Sequence, residues 1–281
     1  MPRHKDSLIL QRLGEWKQLD GSLPQLVELY SQLLRLQSDV MSALDEPEHP
    51  DLTPDVVDTR IRSQIPLLEF KDFWLDWSQL RHTFLRVVDT LADNWPEGLQ
   101  DAASLKGIAS SESSLRQAVT DWFKGMSLHS FASDHSVDES VLEVAIQAAM
   151  RPYLAMHAEV VLPLVNQQLW RRHWCPVCGG KADFAYLEKE VGARWLLCSR
   201  CDAEWLYQRL QCPFCGTDKQ KSLGFLTDDA EVYRLYTCDE CKSYIKAMDL
   251  RKAGTDVLLP LERVMTLDMD RQGLEAGYHP G

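Results

Sequence analysis

The stretch "HWCPVCGG", residues 173–180, places two thiols three positions apart, with a proline between them and two glycines directly after. A C-x-x-C pair puts two sulfurs on one tight turn, and the residue that follows is often glycine because the backbone there takes a positive φ. Gly179 stands in that place. Backbone N–H groups of such a turn point at the sulfurs and stabilise thiolate charge.

All eight cysteines lie between residues 175 and 241, in four pairs of one spacing: Cys175/Cys178, Cys198/Cys201, Cys212/Cys215 and Cys238/Cys241. The pair in "CPVCGG" is followed after 19 residues by "CSRC", and the pair in "CPFCGT", with Gly216 in the glycine place, after 22 by "CDEC". In each copy an arginine, Arg194 or Arg234, precedes the second pair by four positions inside a strand-like run, "ARWLL" or "EVYRLYT", and an aromatic, Trp205 or Tyr244, follows it. The copies form a tandem repeat. Spacings at or just beyond the usual ribbon window predict one metal ion on Cys175, Cys178, Cys198 and Cys201 and a second on Cys212, Cys215, Cys238 and Cys241. The sulfurs would lie at roughly 2.3 Å from each ion. A crossed assignment would break the repeat. Zinc and iron fit four thiolates equally well in geometry, affinity favours zinc, and the "CPxCG" turn is also that of rubredoxin; the ion stays open.

Three uses of such a clamp compete. A structural site explains how about 100 residues with a thin apolar core fold, because metal binding becomes folding free energy. A redox dithiol needs a lowered thiolate pKa and usually a following helix; here glycines follow, and four equal pairs are excessive. A rubredoxin-type electron carrier has no need of some 170 attached helical residues. The histidines show no ligand spacing, and His173 reads as a surface or supporting residue. With no G-x-S-x-G, P-loop or dinucleotide fingerprint present, the reading is of a protein that is not an enzyme.

Upstream of the cysteines the chain reads as helices. "LPQLVELYSQLLRL" spaces Leu26, Leu29, Tyr30 and Leu33 by three and four. "TPDVVDTRIRSQI" offers Thr53 as a cap with Pro54 behind it. "FKDFWLDWSQLRHTFLRVVDTLADNW" puts Phe73, Trp77, Leu80, Phe84 and Val87 on one face of a long segment. "SSESSLRQAVTDWF" and "SVDESVLEVAIQAAM" follow, the second opened by a Ser136/Glu139 capping box. A last helical stretch runs from about Pro152 to Trp170, with Pro163 as a break. "DEPEHPDLTP" and "ASDHSVD" read as loops.

The chain of 281 residues carries a net charge of −12. Residues 1–170 hold 14 basic and 25 acidic side chains, residues 171–281 hold 16 and 17. Each divalent ion on four thiolates adds a site of net −2, taking the second region from −1 to about −5. Phosphate backbones are repelled, so the partners predicted are proteins rather than nucleic acids. The opening residues lack the apolar run of a secretory signal, and no uncharged apolar run of membrane length occurs; the expectation is a cytoplasmic protein without membrane insertion. Thiols clustered in a reducing compartment read as metal ligands, not disulfides.

The order "HWCPVCG", "RWLLCSRCDAEW", "RLQCPFCG", "YRLYTCDECKSYIK" and the closing "LPLERVMTLDMDRQGLEAGY" resembles the formate dehydrogenase accessory protein family, FdhE. The resemblance covers the C-terminal 110 or so residues strongly and the helical part by length and style. It implies an α+β architecture: an α-helical domain, residues 1–170, then two tandem rubredoxin-like or zinc-ribbon modules, 171–209 and 210–281, the second with a tail. It further implies a cytoplasmic maturation factor that binds the catalytic subunit of a respiratory formate dehydrogenase, a molybdenum enzyme, before export, with iron in the eight-cysteine sites. Tyr244 and Lys246 match a "YxK" tail of that family; from the residues alone they read as a strand end with a solvated lysine. The alternatives are a zinc-ribbon nucleic-acid or transcription module and a rubredoxin-type electron carrier. Whether the chain forms a homodimer stays open.

Overall fold

The computed structural model describes residues 2–18, 24–49, 51–73, 75–95, 99, 102–254 and 257–281. The chain packs as two units, Met1–Pro47 with Phe70–His157 and Glu48–Glu69 with Ala158–Gly281. The architecture is α+β, helical first and cysteine ribbons after. The boundary anticipated at residue 170 falls inside the second unit, which also takes in residues 48–69.

In the first unit, α1 (Pro2–Trp16), α2 (Pro24–Ala43) and α4 (Trp77–Asn94) precede α5 (Ala102–Ser110), α6 (Glu112–Phe123) and α7 (His129–Asp134). The unit also holds most of α8 (Glu139–Val161). α2 buries Val27, Ser31, Leu34, Leu36, Gln37 and Val40, whereas the stripe anticipated from Leu26, Leu29, Tyr30 and Leu33 is only half-buried. The core face of α2 includes polar side chains that have internal partners. Ser31 Oγ donates to the Val27 carbonyl at 2.7 Å. Gln37 Nε2 donates to the Ala148 carbonyl at 2.9 Å and its Oε1 accepts from Arg151 at 2.8 Å. Satisfied polar groups can be buried cheaply, so counting apolar residues selects the wrong phase.

α4 begins at Trp77, later than the long pattern suggests, because Asp76 Oδ1 accepts from the backbone N–H of Ser78 at 2.9 Å and of Gln79 at 3.1 Å. Phe73 lies before the helix yet stays in the core, its ring 5.1 Å from Phe123 and 4.7 Å from His157. The Ser136/Glu139 box does not form. Ser136 has φ +55, Asp138 Oδ1 accepts from Val141 N at 3.1 Å, and the Glu139 carboxylate turns back to accept from Leu128 N at 2.9 Å. Pro152 sits inside α8 rather than opening a new helix, and the helix ends in a 3-10 turn, Leu162–Leu164, that contains Pro163. The first residues of "ASDHSVD" complete α7 instead of forming a loop; "DEPEHPDLTP" is irregular where described as far as Thr53, and its last residue, Pro54, is helical.

In the second unit, α3 (Pro54–Arg62) has Pro54 in its first turn and Thr53 at its N-cap, without a side-chain cap bond. The ribbons supply β1 (Ala182–Leu187), β2 (Arg194–Cys198), β3 (Glu204–Tyr207), β4 (Leu223–Thr227), β5 (Tyr233–Cys238) and β6 (Ser243–Asp249). α9 (Leu259–Met265), α10 (Leu267–Glu275) and β7 (His279–Pro280) close the chain. All the strands join one sheet of order β3-β2-β1-β6-β5-β4, with β7 beside β6. Pairing within each ribbon is antiparallel, but β1 and β6 run parallel, with Phe184 opposite Lys246 and Leu187 opposite Asp249. The two modules therefore share one sheet.

α10 is fastened to this sheet by the two residues of the "YxK" tail. Lys246 is 6% exposed, not solvated; its Nζ donates to Asp270 Oδ2 at 2.6 Å and to the Arg263 carbonyl at 3.0 Å. Tyr244 Oη donates to Asp270 Oδ1 at 2.8 Å. Gly273 lies against the Tyr244 ring so closely that an added Cβ would meet it at 2.6 Å. Ala at a helix interior is worth about 1 kcal/mol over Gly, while overpacking costs about 1–3 kcal/mol. Gly273→Ala is therefore expected to lower the melting temperature; a rise in a thermal scan would contradict this packing.

Candidate metal centre

Each knuckle is shaped by its backbone. In the first, Gly179 N donates to the Cys175 carbonyl at 3.0 Å, Cys175 N to the Gly180 carbonyl at 2.8 Å, and Val177 N points at Cys175 Sγ from 3.4 Å. Gly179 and Gly216 both have φ +73, as their place after the pair requires. At the second pair of each module the left-handed position falls to Asp202, φ +56, and Lys242, φ +54. The N–H contact recurs, from Arg200 to Cys198 Sγ and from Phe214 to Cys212 Sγ, both at 3.4 Å. The repeat thus extends to backbone conformation.

The structure brings the eight cysteines into two quartets, Cys175, Cys178, Cys198 and Cys201, then Cys212, Cys215, Cys238 and Cys241, with the ligand atoms of each within 4.8 Å of one another. Sulfurs stand 3.6 Å apart for Cys175 and Cys201 and 3.5 Å for Cys178 and Cys198. In the second quartet Cys212 and Cys241, and Cys215 and Cys238, are both 3.7 Å apart. A disulfide would need about 2.05 Å, whereas a tetrahedron of thiolates at 2.3 Å from a metal has edges of about 3.8 Å. The donor set and its spacing fit two ions of zinc or iron type.

The quartets differ in access. All four sulfurs of the first are buried; in the second Cys215 is exposed and Cys241 half-buried. In the first, hydrogen bonds from Cys175, Cys198 and Cys201 hold the Cys178 thiol well below the usual range. In the second, burial pushes the Cys241 thiol up, but hydrogen bonds from Ser243, Cys212 and Cys215 together outweigh this and bring it down to about 7.

Supporting side chains hold the knuckles in place. Arg263, from α9, donates to the Cys198 carbonyl at 3.1 Å, to Asp202 at 3.0 Å, and lies 3.1 Å from Asp183. Burial raises the Asp183 carboxyl to about 6 despite this arginine. The fully buried Trp170 and Trp205 donate their indole N–H to the Trp174 and Arg172 carbonyls at 3.0 and 2.8 Å. The first knuckle is also braced by residues 48–69: Leu67 N and Leu68 N donate to the Pro176 and Val177 carbonyls at 2.8 and 2.9 Å. His173 is no member of the quartet; its ring meets Trp174 edge-on at 4.6 Å. The repeated arginines take different partners, Arg194 the Gln208 and Gln211 carbonyls, Arg234 the Asp249 carboxylate at 2.9 Å. Tyr207 Oη donates to the Cys212 carbonyl at 3.1 Å, tying the first ribbon to the second quartet.

Arg263 is a residue that cysteine spacing does not reveal. Arg263→Ala is expected to cost about 1.5–3 kcal/mol, because it removes the guanidinium that bridges the half-buried carboxylates of Asp183 and Asp202 and the Cys198 carbonyl. Chemical denaturation of the metal-replete protein measures this, and a change below 1 kcal/mol would count against the brace.

Comparison with known proteins places these features. A family model described as the central domain of FdhE matches residues 174–209. A "Protein FdhE homolog" of Aquifex aeolicus is 24% identical over 276 residues, 96% of this chain and 89% of that protein. One from Shewanella oneidensis is 35% identical over 111 residues, 38% of this chain and 37% of that protein. "Protein FdhE" of Escherichia coli (strain K12 / DH10B) is 28% identical over 167 residues, 58% of this chain and 54% of that protein. The crystal structure of the FdhE protein from Pseudomonas aeruginosa shares the fold, with a TM-score of 0.62 at 22% identity, covering 98% of this chain and 92% of that one.

Proposed function

We propose that this chain, which is similar to FdhE proteins and shares the fold of one, is a non-enzymatic maturation factor that binds the catalytic subunit of a respiratory formate dehydrogenase and assists its assembly. The observation that carries this reading is the joining of an α-helical unit to two four-cysteine quartets built on one sheet, the arrangement that the family resemblance implies. The eight cysteines would hold two ions, iron by that resemblance or zinc by affinity, and the ions would fix the ribbon surface presented to the client. The chain's side chains would bind and orient; none is asked to transform a substrate. Eight free thiols support a cytoplasmic setting, and no helix among the described residues is long and apolar enough to cross a membrane.

The test is a pull-down of the formate dehydrogenase catalytic subunit with this chain as bait. Enrichment over a control bait is the expected result; its absence removes the reading. Metal analysis of protein purified without added metal should find about two ions per chain. A second reading, rubredoxin-type electron transfer, is favoured by the exposure of Cys215, which brings the second quartet to the surface. It predicts visible iron absorbance that bleaches reversibly on reduction.

A further inference from the structure

A cavity of ≈ 210 Å³ lies in the second module, between the sheet formed by β4, β5 and β6 and the connector at residues 209–214. Its lining contains three arginines, Arg194, Arg209 and Arg234, and no carboxylate, in a chain of net charge −12. Arg234 is paired with Asp249 at 2.9 Å, a carboxylate it shares with Arg251. Arg194 is not. It is 2% exposed, donates to the Gln208 and Gln211 carbonyls, and lies over the rings of Tyr207 and Tyr236 at 5.2 and 5.8 Å. It forms no ion pair among the described residues. Arg209, exposed at the rim, forms none either. The Nε atoms of Arg194 and Arg234 and the Tyr236 hydroxyl are buried without a hydrogen-bond partner. A buried cation with no counter-charge is costly to retain in a fold.

The remaining wall is apolar and open at one side. Leu210 is 60% and Phe225 54% exposed, and both line the cavity. β4 pairs with β5 alone and ends the sheet, so its other edge is unpaired among the described residues. Free strand edges accept extended peptides, the backbone giving affinity and pockets for alternate side chains giving selectivity. The cavity volume is that of roughly seven waters, the scale of a side chain rather than of a cofactor.

We propose that the β4 edge and this cavity bind an extended peptide segment in which a carboxylate side chain is flanked by apolar residues. The segment adds to β4, its carboxylate enters towards Arg194 and Arg209, and the apolar flanks cover Leu210 and Phe225. This deepens the client-binding reading and rests on it only for which protein supplies the segment. Thiolate charge at Cys212, on the same wall, could balance Arg194 by itself but leaves Arg209 without a role, so Arg209 decides the matter.

The experiment uses the full metal-replete chain and fluorescence anisotropy. The probe is a fluorescein-labelled nonapeptide of alternating valine and threonine with one central glutamate; control peptides carry glutamine or lysine there. The glutamate peptide is expected to bind about tenfold or more tighter than the glutamine peptide. Arg209→Glu should remove that preference and favour the lysine peptide, with metal content unchanged. Phe225→Ser should weaken the glutamate and glutamine peptides alike. Equal binding of those two peptides, or no response to Arg209→Glu, overturns the proposal. So does competition by free 3-phenylpropanoate as effective as by unlabelled peptide, which would mean a small-carboxylate site, or preference for a labelled oligonucleotide. A failed pull-down beside selective peptide binding discards the formate dehydrogenase client and leaves this site standing; the converse discards this site alone.

Discussion

Cys178→Ser is expected to leave the protein with about one metal ion per chain in place of two, and to open the cysteine-bearing unit to protease. The sulfur it removes is buried, within 3.5 Å of both Cys198 and Cys201. Structural tetrathiolate and mixed sites contribute on the order of 10–16 kcal/mol to folding, against a net domain stability of about 5–15 kcal/mol. The loss therefore exceeds what the ribbon's apolar contacts can offset. Because β1 carries the first module and pairs with β6 of the second, disorder should spread across the shared sheet instead of stopping at residue 209. Metal analysis together with limited proteolysis mapped by mass spectrometry measures both effects. Two ions per chain and an unchanged digestion pattern would falsify the assignment of Cys178 as a ligand.

Metal should leave the two quartets at different rates. A chelator reaches a buried site only after the surrounding structure opens, and the opening of core strands costs up to the global stability. A surface site needs only local movement. With Cys215 exposed and Cys241 half-buried, one equivalent is expected to transfer to a colorimetric chelator at least about a hundredfold faster than the other. Iodoacetamide in the presence of chelator should label Cys212, Cys215, Cys238 and Cys241 before any sulfur of the first quartet. A single release phase, or first-quartet peptides labelled together with the second, would contradict the difference in burial.

Much of the candidate site was legible because ligand chemistry leaves a local trace. A C-x-x-C turn, the glycine after it and the matching arginine can each be read within ten residues, and the quartets, the positive φ at Gly179 and Gly216 and the strands at Arg194 and Tyr233 follow that reading. What failed depended on distant partners. Lys246 looked solvated because Asp270, 24 positions on, gives no sign of being its counter-ion. The core face of α2 was misphased because Gln37 is satisfied by Ala148 and Arg151, more than a hundred positions away. The Ser136/Glu139 box matched in spacing, but Asp138 competes for the cap and Leu128 for the glutamate. Helices α9 and α10 were read as family tail and not as structure, since short helices have little periodicity and owe their stability to tertiary packing.

The parallel junction of β1 with β6 has a bearing on how the chain is made. Leu187 and its neighbour across the sheet, Asp249, leave the ribosome roughly 60 residues apart, about 3–12 s at ordinary elongation rates. During that interval the nascent first ribbon has a bare strand edge of the kind that templates aggregation.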